Sequence, residues 1–128
     1  TPPYIVSTPG QMAAIAAFEA EDYYLERVAQ THGLREEFSR SLGSLPGLRV
    51  VPSKINCVLL DLKDTGWTAA EFWAEMLGRK LLCRDIGHQG LNDSTRYVRI
   101  AVLSQDSNDK MVAMISAVIL SKLDVCSV

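Results

Sequence analysis

The sequence predicts an α+β domain: a small, largely antiparallel sheet with helices packed on one face. Two observations carry this reading. Short apolar runs come in two pairs, bounded by turn-forming residues, and helical patterns precede, separate and follow those pairs. The resulting order is α-α-β-β-α-β-β-α. No internal repeat or low-complexity segment interrupts it.

The elements follow in order. Thr1-Pro2-Pro3-Tyr4-Ile5-Val6-Ser7 reads as a stiff, extended connector, since proline fixes φ and restricts the residue before it. Ser7 or Thr8 caps a helix with Pro9 at its first position. That helix, Gln11 to about Glu21, is alanine-rich and apolar almost all round, which calls for burial on more than one side. One small sheet covers only one. A second helix runs from about Asp22 to Leu42. Leu25, Val28, Phe38 and Leu42 form its stripe, with Glu26, Arg27, Arg35, Glu36, Glu37 and Arg40 outside it. Leu45-Pro46-Gly47 stops it. Two strands follow, Leu48–Val51 and Ile55–Asp61, joined by Pro52-Ser53-Lys54.

Thr68 with Glu71 makes a capping box for a third helix, about Ala69 to Arg79, whose apolar face is Phe72, Trp73, Met76 and Leu77. Strands at about Leu81–Asp85 and Tyr97–Val102 come next. A last helix spans about Ser107 to Leu123, with Ser104 and Ser107 as possible caps.

The 128 residues suffice for one domain with a real core. A net charge of -2 with scattered cations offers no nucleic-acid footprint and no membrane-surface patch. No apolar run in these residues is long enough to span a bilayer, and none reads as a signal peptide. Three cysteines, Cys57, Cys83 and Cys126, have no CxxC spacing, which argues against a disulfide framework and against a metal site. Reduced, buried thiols in a cytoplasmic protein are the simplest account.

Arg84 and Arg99 are the candidate functional residues. Each sits in a short apolar strand. Arginine is a fixed planar cation whose donors grip carboxylate or phosphate at two points. Two of them on neighbouring strands suit a small dianion; a solvent-facing strand edge suits the same pattern. Asn56 lies in an apolar strand, where it satisfies a backbone group or contacts the site. His88 falls in the loop between the arginine strands. The lysines, Lys54, Lys63, Lys80, Lys110 and Lys122, read as turn or polar-face residues.

Taken together, several segments resemble the C-terminal small domain of fold-type I, pyridoxal-phosphate-dependent aminotransferases, nearest to the histidinol-phosphate aminotransferase group. The segments are the Pro2-Pro3-Tyr4 connector, Asp22-Tyr23-Tyr24-Leu25-Glu26-Arg27, Pro52 to Leu59, Leu82-Cys83-Arg84-Asp85, Tyr97-Val98-Arg99-Ile100, and Gln105 to Met111 at the entry to the last helix. The likeness extends over nearly the whole chain. It departs at Ile5, where the family usually has Asn, and at Cys57, where it often has Phe.

The resemblance implies that Arg99 binds a substrate α-carboxylate and Arg84 a distal group, often a phosphate. Tyr4 and Asn56 become possible site contacts. It implies a substrate that is an amino acid or 2-oxo acid, a cytoplasmic homodimer when full-length, and pyridoxal 5'-phosphate held mainly by a large domain upstream of Thr1, with residues 1–7 as the connector from it. No segment resembles the family's Schiff-base lysine motif, so no catalytic residue is expected in the chain itself. A phospho-amino-acid decarboxylase of the same family uses the same grip, and so does a non-catalytic anion-binding or dimerisation module.

Overall fold

A computed structural model describes residues 6–86 and 94–125, with side chains as far as Lys122. Tyr4, His88, Cys126 and most of the connector lie outside the described residues. The chain forms two compact units, Thr1–Thr31 and His32–Val128.

In the first unit, α1 (Thr8–Glu19) starts where the sequence places its cap: the Ser7 hydroxyl accepts from the Gly10 N–H, with Pro in the first turn. The helix ends at Ala20, whose N–H is shared between the carbonyls of Ala16 and Ala17. α2 (Glu21–Gly43) begins at once. No residue of α1 is buried, and Phe18 is 86 % exposed. Leu25 and Val28, placed on the core stripe of α2 by sequence, are exposed as well. That stripe holds only in the second unit, where Phe38 and Leu42 are buried. Arg35, expected on the polar face, joins them. It lies three residues before Phe38 and seven before Leu42, so helical geometry puts it on their face. Its Nη2 donates to Glu36 Oε1 at 2.8 Å.

The second unit holds the sheet. Its strands are β1 (Arg49–Val51), β2 (Cys57–Asp61), β3 (Arg84–Asp85) and β4 (Tyr97–Ala101), in spatial order β1-β2-β4-β3 with every pair antiparallel. Val58, Leu60, Val98 and Ile100 alternate onto one face and are buried. Against them pack Phe38 and Leu42 of α2, Phe72 and Met76 of α3 (Ala69–Gly78), and Met111, Ile115, Val118 and Ile119 of α4 (Gln105–Val125). The other face carries Cys57, Leu59, Tyr97 and Arg99, all half-buried. The α+β class, the element order and the helix-covered face are therefore as the sequence predicts.

Two close approaches shape the ends of β1 and β2. Gly47 has φ +74°, and a Cβ there would sit 2.4 Å from the carbonyl oxygen of Asp64, so only glycine fits this turn. Asp61, buried at the end of β2, receives Arg96 Nη2 at 2.9 Å and the Lys63 N–H at 3.1 Å.

α3 enters through the expected capping box. Thr68 Oγ1 accepts from the Glu71 N–H, and Glu71 Oε2 accepts from the Thr68 N–H at 3.0 Å. The same carboxylate takes Lys122 of α4 at 3.2 Å, and Lys122 also rests over the Trp67 ring at 4.1 Å. The hydrogen bonds from Thr68, and then Lys122, hold the Glu71 carboxyl down at about 2. A folded value below the unfolded one means stability that is complete above about pH 4.5 and lost as pH falls towards 2. Thermal unfolding scans from pH 6 to pH 2 check this: Glu71→Gln flattens the acid limb of the melting curve. An acid limb identical to that of the native chain would remove Glu71 as its source.

Candidate anion-binding site

The arginine strand β3 is delivered by the end of α3. The helix closes in a Schellman motif. The Lys80 N–H donates to Leu77 O at 2.9 Å and the Leu81 N–H to Met76 O at 2.9 Å, with Lys80 in the left-handed region at φ 63°. Leu81 and Met76, the usual apolar pair of this motif, are both buried. A lysine in this conformation carries strain that glycine does not. Lys80→Gly is expected to raise the unfolding free energy by about 0.5–1 kcal/mol, read from urea denaturation. A loss of stability would show that the lysine side chain itself supports the turn.

The turn also corrects a boundary. Leu81 to Cys83 read as strand by composition, yet only Arg84 and Asp85 pair, because the Leu81 N–H is committed to closing the helix. In the same way β2 starts at Cys57 rather than Ile55, since the Ile55 N–H turns to Ser53 Oγ at 3.3 Å. Asn56 therefore sits just outside the strand and is exposed; its carbonyl accepts the Val102 N–H at 2.9 Å.

The antiparallel register sets Arg84 directly opposite Arg99, with Leu59 opposite Arg99 on its other side. Directly opposed residues bring their Cα atoms to about 4.5–5.5 Å and place their side chains on one face. Two like charges so placed destabilise a sheet. Among the described residues neither guanidinium has a carboxylate partner within ion-pair distance. Arg84 is exposed and Arg99 half-buried.

Both line an open cleft of about 770 Å³ on the face of the sheet away from the core. Asn56 and Cys57 border it beside β2, Asp85 beside β3, and Trp73 reaches it from α3. Arg84, Arg99 and Asn56 thus line one cleft, while Tyr4 lies outside the described residues.

Trp73, which the sequence places on the apolar face of α3 with Phe72, lies outside the core in the structure. Adjacent helical residues point about 100° apart, and with Phe72 aimed into the core Trp73 falls at the margin of the buried stripe. Phe72 is fully buried, and Trp73 is 37 % exposed. Cys57, expected to be buried, is half-buried at the cleft, while Cys83 is buried. Burial pushes the Cys83 thiol up to about 11, with the neighbouring Asp85 carboxylate adding to the rise, so it stays protonated and is a poor nucleophile.

The far end of β4 is fixed by a residue that composition does not flag. Asn108, fully buried in the first turn of α4, holds Leu103 at both backbone groups: Oδ1 accepts its N–H at 2.9 Å and Nδ2 donates to its carbonyl at 3.1 Å. This amide clamp sets where β4, and with it Arg99, stops.

The described lining of the cleft includes no lysine that could form a Schiff base with a pyridoxal cofactor, and Lys122, the most enclosed described lysine, is committed to Glu71 and Trp67. Among the described residues, no three His, Cys, Asp or Glu side chains form a metal-binding group, and no helix is long and apolar enough to cross a membrane.

Comparison with known proteins places this geometry in a family. A histidinol-phosphate aminotransferase from Methanosphaera stadtmanae is 29 % identical over 119 residues, covering 92 % of this chain and 32 % of that protein. The chain spans about a third of the length of the relatives it matches. The crystal structure of a histidinol-phosphate aminotransferase from Clostridium acetobutylicum superposes with a TM-score of 0.76 at 24 % identity, over 88 % of this chain and 33 % of that one, which shows the shared fold. An L-threonine-O-3-phosphate decarboxylase from Porphyromonas gingivalis aligns with a TM-score of 0.63 at 30 % identity, over 71 % of this chain and 27 % of that one. The family model for aminotransferase class I and II matches residues 1–115, so the strands that carry Arg84 and Arg99 lie within the match and the chain belongs to that family.

Proposed function

We propose that this chain is the substrate-capturing small domain of a pyridoxal-phosphate-dependent aminotransferase whose substrate is a small amino acid with a distal anionic group. The observation that carries the reading is the register of Arg84 opposite Arg99 without carboxylate partners among the described residues. Opposed cations are costly in an empty sheet and useful against a dianion. Arg99, half-buried, fixes the α-carboxylate through two parallel hydrogen bonds. Arg84, exposed on edge strand β3, meets the distal group. Pyridoxal phosphate, held mainly by a large domain, supplies the electron sink for the reaction. This domain contributes orientation and charge, and residues 1–7 connect it to that larger part.

The test is an assay of the complete protein loaded with pyridoxal phosphate, an amino donor and a 2-oxo acid. Amino-group transfer to the oxo acid is the expected outcome. Release of carbon dioxide without transfer would favour the second reading, a phospho-amino-acid decarboxylase, which draws support from the likeness to the threonine-phosphate enzyme. Neither product would leave an anion-binding module.

The roles of the two arginines are separable. Arg84→Gln lowers kcat/KM for a phosphorylated substrate far more than for an analogue with a neutral side chain. Equal losses on both would assign Arg84 a structural role instead.

A further inference from the structure

The end of β4 is held unevenly. Towards β2 it is paired over its whole length, from Tyr97 to Ala101. Towards β3 only Val98 and Arg99 have partners, Asp85 and Arg84. Arg99 is therefore the last residue of β4 with a strand on both sides, and Ile100 and Ala101 run past an unpaired flank. The partner that Arg99 keeps on that flank carries a like charge and pushes it away.

Two tethers beyond Ala101 resist that push. The Val102 N–H donates to the Asn56 carbonyl at 2.9 Å, which ties the strand to the lead-in of β2. One residue later the Asn108 amide takes both backbone groups of Leu103, at 2.9 and 3.1 Å. A polar side chain at a helix start ordinarily satisfies the free N–H groups of its own helix. Asn108 instead spends both polar atoms on the segment that leaves β4. An amide that accepts and donates at once fixes the direction of a peptide segment as well as its place. Asn108 is 1 % exposed, and Met111 and Ile115 anchor its helix in the core, so the clamp has a firm base.

We propose that Asn108 is a positioning residue for Arg99: by fixing Leu103 in place and direction it holds the end of β4 against the repulsion from Arg84 and keeps the Arg99 guanidinium aimed into the cleft. Asn108 is not among the described lining residues of the cleft, so it acts through the strand and not on the ligand. This rests on the reading of Arg99 as an anion grip. Such a grip is sensitive to aim. A guanidinium that keeps its charge but loses one of two parallel bonds holds its anion roughly tenfold less tightly.

A double-mutant cycle separates positioning from folding. The complete protein, loaded with pyridoxal phosphate, is titrated with inorganic phosphate at fixed ionic strength, and binding is followed by calorimetry. Asn108→Ala is expected to weaken phosphate binding roughly tenfold. In an Arg99→Gln background the same substitution changes it by less than about twofold, because the group through which it acts is already gone. Asn108→Asp is isosteric, keeps the acceptor for the Leu103 N–H and puts its charge at a helix start, where a carboxylate is favoured. Its loss is intermediate, and it completes the cycle should the alanine variant fail to fold. Ile115→Val loosens the same helix without touching the clamp; it lowers the melting temperature and leaves phosphate affinity within about twofold. Equal losses from Asn108→Ala with and without Arg99, or a matching affinity loss in Ile115→Val, overturn the positioning role. So does undiminished binding in Asn108→Ala while Arg99→Gln still weakens it, and each of these leaves the grip standing. No phosphate binding to the unsubstituted protein, or binding that Arg99→Gln does not weaken, overturns the grip, and the positioning role with it.

Discussion

If the complete protein has the proposed activity, Arg99→Ala is expected to lower its kcat/KM for an amino-acid substrate by roughly 30- to 900-fold, equivalent to about 2–4 kcal/mol. The size follows from what is removed. A half-buried guanidinium making two parallel bonds to a carboxylate supplies charge and orientation at once. On the proposed role, its truncation would leave the carboxylate without its two-point partner, with only Arg84 as a remaining cation on the described lining of the cleft. Arg99→Lys recovers only part of the loss, because an ammonium is a point charge without the planar fork. Steady-state kinetics on the three proteins check this. Near-native kinetics in the alanine variant would reduce Arg99 to an ordinary strand residue.

Phe72→Ala costs about 3–5 kcal/mol of folding free energy. Phe72 is fully buried, packs edge-on to Trp67, and lies in the same cluster as Val98 and Ile100 of the central strand β4. Removing its ring leaves a cavity between α3 and the sheet. At the denaturant sensitivity usual for small proteins, the urea midpoint drops by on the order of 2 M. Phe72→Leu, which refills most of the space, loses much less. A fall of under about 1 kcal/mol in the alanine variant would mean that the core tolerates collapse at this site.

Much of this was legible in the sequence, and the exceptions have physical causes. The cap at Ser7 and the box at Thr68 and Glu71 are local signals, and each appears where the sequence places it. The strand order is not local: β2 pairs with β4 across an intervening helix and strand, so nothing in the neighbourhood of Arg99 announces Leu59 as its neighbour. The extents of β2 and β3 were overestimated because apolar composition does not reveal that the N–H groups of Ile55 and Leu81 are spent on turns. Trp73 and Arg35 were misplaced although the signal was present. Counting turns from Phe72 and from Phe38 puts the first outside the core and the second inside it.

The shortness of β3 has a consequence for how ligand and fold relate. Two paired residues attach this edge to the sheet, and one of them, Arg84, is repelled by the residue it faces. A dianion bound as proposed would cancel that repulsion, so filling the cleft and fastening the edge would be one equilibrium read from two ends. By reciprocity, the bound dianion would favour pairing of the β3 edge, and the paired edge would favour the dianion.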